Sequence, residues 1–139
     1  MNVENINKAI AIMERVKGYD AKLFYMGEFQ GGDVYYTEKE VLDCGTSCCF
    51  SGWLSVAPEF VDYPNKRKSM GFSLKSENST EESVAKLLGI SINLANDIIY
   101  FRMYYNNELW GKYQIACVKD IKPDHIIDIL KRIKLGELE

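Results

Sequence analysis

The chain has 139 residues, with 17 Lys and Arg against 20 Asp and Glu and a formal charge of −3 at pH 7. Its 47% apolar and 27% charged residues are those of an ordinary core-forming chain, which excludes disordered and fibrous classes, and the length predicts a single compact domain. The apolar runs fall far short of the ~20 residues that span a bilayer, and residues 1–5 lack a charged-then-apolar export pattern, so a soluble protein with free thiols is expected.

Val3, Ile6, Ile10, Met13 and Val16 recur at helical spacing behind Asn2, a good cap, and before Gly18, where a left-handed stop is cheap; this predicts an amphipathic first helix. In residues 22–36 the pattern becomes aromatic and β-branched around Gly31-Gly32-Asp33, which predicts a short hairpin that must lean on the helices. Residues 46–57 read as a second helix, capped by Thr46 and stopped before Pro58. It is apolar all round through Cys48, Cys49, Phe50, Trp53, Leu54 and Val56, and so belongs at the centre.

Residues 58–79 form the longest predicted loop, with the basic run Lys66-Arg67-Lys68 and a short strand at Gly71-Phe72-Ser73-Leu74. Ser79 and Glu82 make a capping box for a helix that buries Val84, Leu87 and Leu88 and stops at Gly89. Ser91 then caps a further helix using Leu94, Ala95, Ile98, Ile99 and Phe101. Residues 109–118 are ambiguous between helix and strand. Pro123 suits the first turn of a last helix lined by Ile126, Ile129, Leu130 and Ile133, with Asp124 and the Lys131, Arg132, Lys134 group matching its dipole. The fold class expected is mainly α with some β: four to five packed helices and one hairpin.

Four groups of residues bear on chemistry. Cys44, Cys48 and Cys49 have spacings that wrap zinc poorly, and only Cys117 and His125 could complete a set, so neither metal nor cofactor is expected. In the first turn of a helix, Cys48 or Cys49 could be an activated nucleophile with His125 as base. The reading preferred here makes them buried core thiols and leaves His125 facing solvent. Val84 to Ile99 fit a helix-turn-helix template, but the second helix has no Lys or Arg before Arg102, which disfavours duplex DNA. Tyr100-Phe101-Arg102-Met103-Tyr104-Tyr105 combines rings on which a base can stack with a cation for phosphate. Lys66, Arg67 and Lys68 would add anion contacts if the fold or a second copy of the chain brought them near.

Cys44-Gly45-Thr46-Ser47-Cys48-Cys49-Phe50-Ser51-Gly52-Trp53 resembles the C-G-T-x-x-C-x-x-G-W signature of small proteins encoded by phages and prophages, with the second family cysteine at Cys49 and Cys48 additional. Phe24-Tyr25-Met26-Gly27 and Ala85-Lys86-Leu87-Leu88-Gly89-Ile90-Ser91 are similar to stretches flanking that signature. The resemblance implies a phage accessory protein acting in a bacterial cytoplasm, and it brings no active-site residues. The function expected is therefore non-enzymatic: binding of a small anionic ligand or a host protein, in its sharpest form the sequestration of a nucleotide defence signal. The ligand contacts would be Lys66, Arg67, Lys68, Arg102, Tyr104 and Tyr105. A helix-turn-helix regulator and a cysteine-dependent enzyme are the alternatives.

Overall fold

The computed structural model describes residues 1–26, 37–45, 47–63, 72, 74, 77, 79–100, 113–115 and 118–138. Among these the protein is mainly helical, with six α-helices: α1 (Val3–Lys17), α2 (Glu38–Cys44), α3 (Phe50–Val56), α4 (Thr80–Leu88), α5 (Ile92–Tyr100) and α6 (Pro123–Lys134). Short 3₁₀ turns lie at Ala21–Leu23, Pro58–Phe60 and Val118–Asp120. None of the described helices is long and apolar enough to cross a membrane. The predicted turns of the hairpin at residues 27–36, most of the loop and strand at 64–78, and residues 101–112 lie outside the described residues.

Four of the six helices start at a side chain that accepts one of the open N–H groups. Asn2 accepts from the Asn5 N–H, Ser79 from the Glu82 N–H at 3.1 Å, and Ser91 from the Leu94 N–H at 3.1 Å. Thr37 caps α2 in the same way, accepting from the Glu40 N–H at 3.2 Å. This short helix is an addition to the expected set. Gly18 adopts right-handed angles (φ −80°) rather than the left-handed stop expected of it, because its N–H closes the last turn onto the Arg15 carbonyl at 3.0 Å.

The central helix is shorter than predicted. Residues 46–57 were expected to coil throughout with Thr46 as cap, whereas α3 begins at Phe50 and Cys49 occupies the cap position. Thr46 itself lies outside the described residues. The boundary is set by a distant strand-like contact: Cys48 pairs in parallel with Phe24, its N–H donating to the Leu23 carbonyl at 2.9 Å and its carbonyl accepting from the Tyr25 N–H at 3.1 Å. Extended pairing at Cys48 is incompatible with helical angles there. The Phe50 N–H, one of the orphan donors of the new first turn, lies 3.4 Å from the Met26 sulfur.

All seven residues of α3 are buried, and they sit within a single apolar cluster. Ile6, Ile12 and Met13 of α1, Leu87 and Leu88 of α4, Ile98 and Ile99 of α5, and Ile129, Leu130 and Ile133 of α6 belong to the same cluster. α1 packs along α6, and α4 pairs with α5. At the junction of α1 and α4, the buried Asn5 amide donates to the Leu87 carbonyl and to the Tyr63 hydroxyl, both at 2.8 Å. It thereby satisfies one of the carbonyls that a helix leaves open at its C-terminus.

Arg15 ties α1 to α2 and to the 3₁₀ turn at Pro58–Phe60. Its guanidinium donates to Glu38 (2.9 Å from Nε) and to Glu59 (2.7 and 2.8 Å), while Tyr19 donates to Glu38 at 3.1 Å. The bond from Arg15 holds the Glu59 carboxyl below the usual carboxylate range, against partial burial. A depressed folded value means that this contribution is present above the ordinary carboxylate pKa and is lost as pH falls below it. Wild-type protein is therefore expected to lose more stability than Glu59→Gln between about pH 5 and pH 3, read from urea midpoints. Parallel losses would show that the clamp is not felt.

Candidate functional site

The sequence placed the ligand contacts at Lys66, Arg67, Lys68, Arg102, Tyr104 and Tyr105; all six lie outside the described residues. The described part of the molecule places a different group of side chains together. Where the C-terminal end of α1 meets the segment entering α6, a cleft of about 290 Å³ opens. Buried Val16, Phe24 and Ile121 contribute its apolar side, and Tyr19 and Pro123 are half-buried in its walls. Exposed Lys17, Lys119 and Lys122 line it together with Asp20 and Asp124, and Lys22 Nζ stands 3.9 Å from Asp20 Oδ2.

The position of each group follows from local structure. Lys17 is in the last turn of α1, where a cation complements the helix dipole, and Asp124 is in the first turn of α6, where an anion does. Packing α1 along α6 joins these two ends, and Lys17 Nζ meets Asp124 Oδ1 at 2.8 Å. That bond raises the Lys17 pKa. Lys119 belongs to the Val118–Asp120 turn and Lys122 precedes Pro123, so both flank Ile121, whose side chain is anchored in the core. Among the described residues neither Lys119 nor Lys122 is in an ion pair. Tyr19 is fixed from both sides, by its bond to Glu38 and by its ring 5.8 Å from that of Trp53. Burial pushes its phenol up, so it remains a neutral wall.

A second hollow of about 330 Å³, lined by Thr37, Glu38, Lys39, Val56, Ala57, Pro58 and Val61, offers a single cation. The neighbouring Glu38 carboxylate is already committed to Arg15. It is the weaker candidate for an anion.

The thiols are placed against activation. Cys48 and Cys49 are free and buried. Burial pushes the Cys48 thiol up to about 12, reinforced by Cys49. Burial likewise pushes Cys49 up to about 11, although the nearby Gly52 and Ser51 N–H groups pull the other way. Neither sits inside the first helical turn, where open backbone N–H groups would stabilise a thiolate. His125 is also not the solvent-facing imidazole expected: it is half-buried, its ring centroid lies 5.2 Å from that of Tyr113, and Nδ1 accepts the Lys122 N–H at 2.9 Å. Desolvation lowers its pKa, which keeps the accepting form. In a Cys44→Ser/Cys117→Ser background, a thiol reagent is expected to modify the native protein on the order of 100-fold or more slowly than the denatured protein. Fast native labelling would restore the nucleophile.

The helix pair is present, with α4 and α5 joined through Gly89 in left-handed conformation (φ 66°). Ile92 is half-exposed on α5 and no Lys or Arg occurs within that helix, so the surface lacks the cations that phosphate demands. Among the described residues no group of His, Cys, Asp and Glu could hold a metal ion. Comparison with protein-family models, with curated proteins and with solved structures finds no match to this chain.

The cleft residues were missed because each end was read by itself. Lys17 and Asp124 looked like ordinary dipole-matching charges, and nothing local reveals that α1 and α6 meet. The one available signal was the pair of lysines bracketing Ile121, a buried apolar anchor that holds both near the same wall.

Proposed function

We propose that the protein is a non-enzymatic binding protein that holds a small anionic ligand in the cleft between α1 and the start of α6. The observation that carries this reading is three lysines from two distant segments around an apolar-sided hollow of about 290 Å³. Apolar walls supply affinity through burial, and a few charged groups supply orientation, which is how small-ligand sites are generally built. The volume is at the bottom of the roughly 300–1,000 Å³ range of such sites, so the ligand is the size of a mononucleotide or an aromatic acid. Two protonated, buried thiols and an imidazole whose Nδ1 is already occupied support binding rather than catalysis. The phage accessory role, in a bacterial cytoplasm, rests on the Cys-Gly-Thr signature.

A panel of phenyl methyl phosphate, benzoate, and cyclic and linear mononucleotides tests this by thermal shift and by amide resonances. A ligand at 100 times its Kd adds about 2.7 kcal/mol of stability. Shifts should cluster at residues 16–24 and 119–124, and should vanish in Lys119→Gln/Lys122→Gln. No stabilisation by any member, or shifts confined to other regions, refutes the assignment.

A further inference from the structure

The four lysines around the cleft are not equivalent. Lys17 Nζ meets Asp124 Oδ1 at 2.8 Å. Lys22 Nζ stands 3.9 Å from Asp20 Oδ2, and the Lys22 backbone N–H donates to Asp20 Oδ1 at 3.1 Å. Each carboxylate of the lining is thereby matched to a cation. Lys119 and Lys122 are in no ion pair among the described residues, and Asp120, between them in the chain, does not line the cleft. The buried Ile121 side chain anchors the backbone that carries both lysines.

We infer that the cleft takes a dianionic phosphomonoester borne on an apolar or aromatic body, with Lys119 and Lys122 receiving the phosphoryl group and Val16, Phe24 and Ile121 covering the body. The inference deepens the binding role proposed above and rests on it. Two uncompensated ammonium groups act on every unit of ligand charge, and Coulomb attraction grows linearly with that charge. The opposing Born cost grows with the square of the charge, but only for a group that is taken out of water. Lys119 and Lys122 are exposed, so a head group held by them at the rim keeps much of its hydration while the body is buried. The second ligand charge therefore adds attraction at little cost. Each ammonium is a compact charge with three rotatable donors, and a phosphomonoester offers the pair three terminal oxygens where a diester offers two.

Phenyl phosphate and phenyl methyl phosphate test this, since they share a body and differ by one charge at about pH 8, above a second phosphate pKa of about 6. Titration of the full chain, followed by amide shifts at residues 16–24 and 119–124, gives both dissociation constants. Wild-type protein is expected to bind the monoester roughly fivefold or more tightly than the diester at low salt. At about pH 5 the monoester also carries mainly one charge, and the two constants should converge; a preference that persists there would come from the bulk of the methyl group and overturns the inference. Lys119→Gln and Lys122→Gln should each reduce the pH 8 preference. Both lysines are exposed, so the variants should fold, and unchanged far-ultraviolet circular dichroism checks this. Inorganic phosphate, which carries the charge without the body, should bind roughly tenfold or more weakly than phenyl phosphate. Equal or tighter binding of the diester by wild type, an undiminished preference in both variants, or inorganic phosphate binding as tightly as phenyl phosphate overturns the inference while leaving the binding site standing. Failure of both phenyl probes to bind wild type removes the site itself.

Discussion

Trp53→Ala is expected to cost about 3–5 kcal/mol, a large part of the roughly 5–15 kcal/mol that holds a typical domain together. Trp53 is fully buried in a helix whose every residue is buried, and its loss opens a cavity where α3 meets α1. The cost divides into two measurable parts. The indole N–H donates to the Leu23 carbonyl at 3.2 Å, but that carbonyl also accepts from the Cys48 N–H at 2.9 Å. Trp53→Phe consequently leaves no orphaned acceptor and should cost only about 1–2 kcal/mol. Urea unfolding followed by far-ultraviolet circular dichroism reads both. A loss below about 1.5 kcal/mol in the alanine variant would show that the centre repacks, and that α3 is not the organising element.

Gly89→Ala is expected to destabilise more than the same change at Gly45 or Gly136. All three glycines have left-handed backbone angles, with φ of 66°, 67° and 78°. For an L-residue that conformation costs roughly 1–2 kcal/mol, and this part is common to all three. Around Gly45 and Gly136 an added Cβ would meet nothing within 4 Å. At Gly89 it would stand 2.7 Å from the Asn2 nitrogen and 3.0 Å from the Met1 carbonyl carbon, both backbone atoms. That backbone cannot retreat freely, because the Asn2 N–H donates to the Leu88 carbonyl at 2.9 Å. The clash should add a further loss on the order of 1–3 kcal/mol, measured as the difference in urea midpoint among the three variants. Equal losses would mean that the start of the chain yields and that the junction of α1 with α4 is soft.

These two sites show how legible the fold is in the sequence. The stop at Gly89, the caps Asn2, Ser79 and Ser91, and the buried stripes of α4 and α6 were read from spacing and residue type, and the structure places them as expected. The apolar character of residues 50–56 also announced a central helix. α2 was overlooked although Thr37 followed by Glu40 is a capping signature, because seven residues with few apolar positions gave no periodicity to extend it. The error at the start of α3 has a different origin. Thr46 has the right chemistry for a cap, but Cys48 is held extended by Leu23 and Tyr25, and a contact across that distance in sequence has no local signature.

The candidate site was less legible than the fold. Aromatic rings beside cations at 100–105 and the basic run at 66–68 stand out in the sequence because their residues adjoin. Lys17, Tyr19, Lys119, Lys122 and Asp124 do not adjoin, and each has an innocent local explanation as a helix-end charge or a loop residue. Only the seating of α1 on α6 makes them one rim.

Caps, stops and apolar periodicity act within a turn or two of helix, so the sequence alone located α1, α4, α5 and α6 and the side that the last three bury. Which helix ends meet, where the central helix starts, and which charges share a cleft depend on packing between segments far apart in the chain. That packing is governed by shape and by backbone hydrogen bonds such as the one between Cys48 and Leu23, and neither is written in the spacing of neighbouring residues.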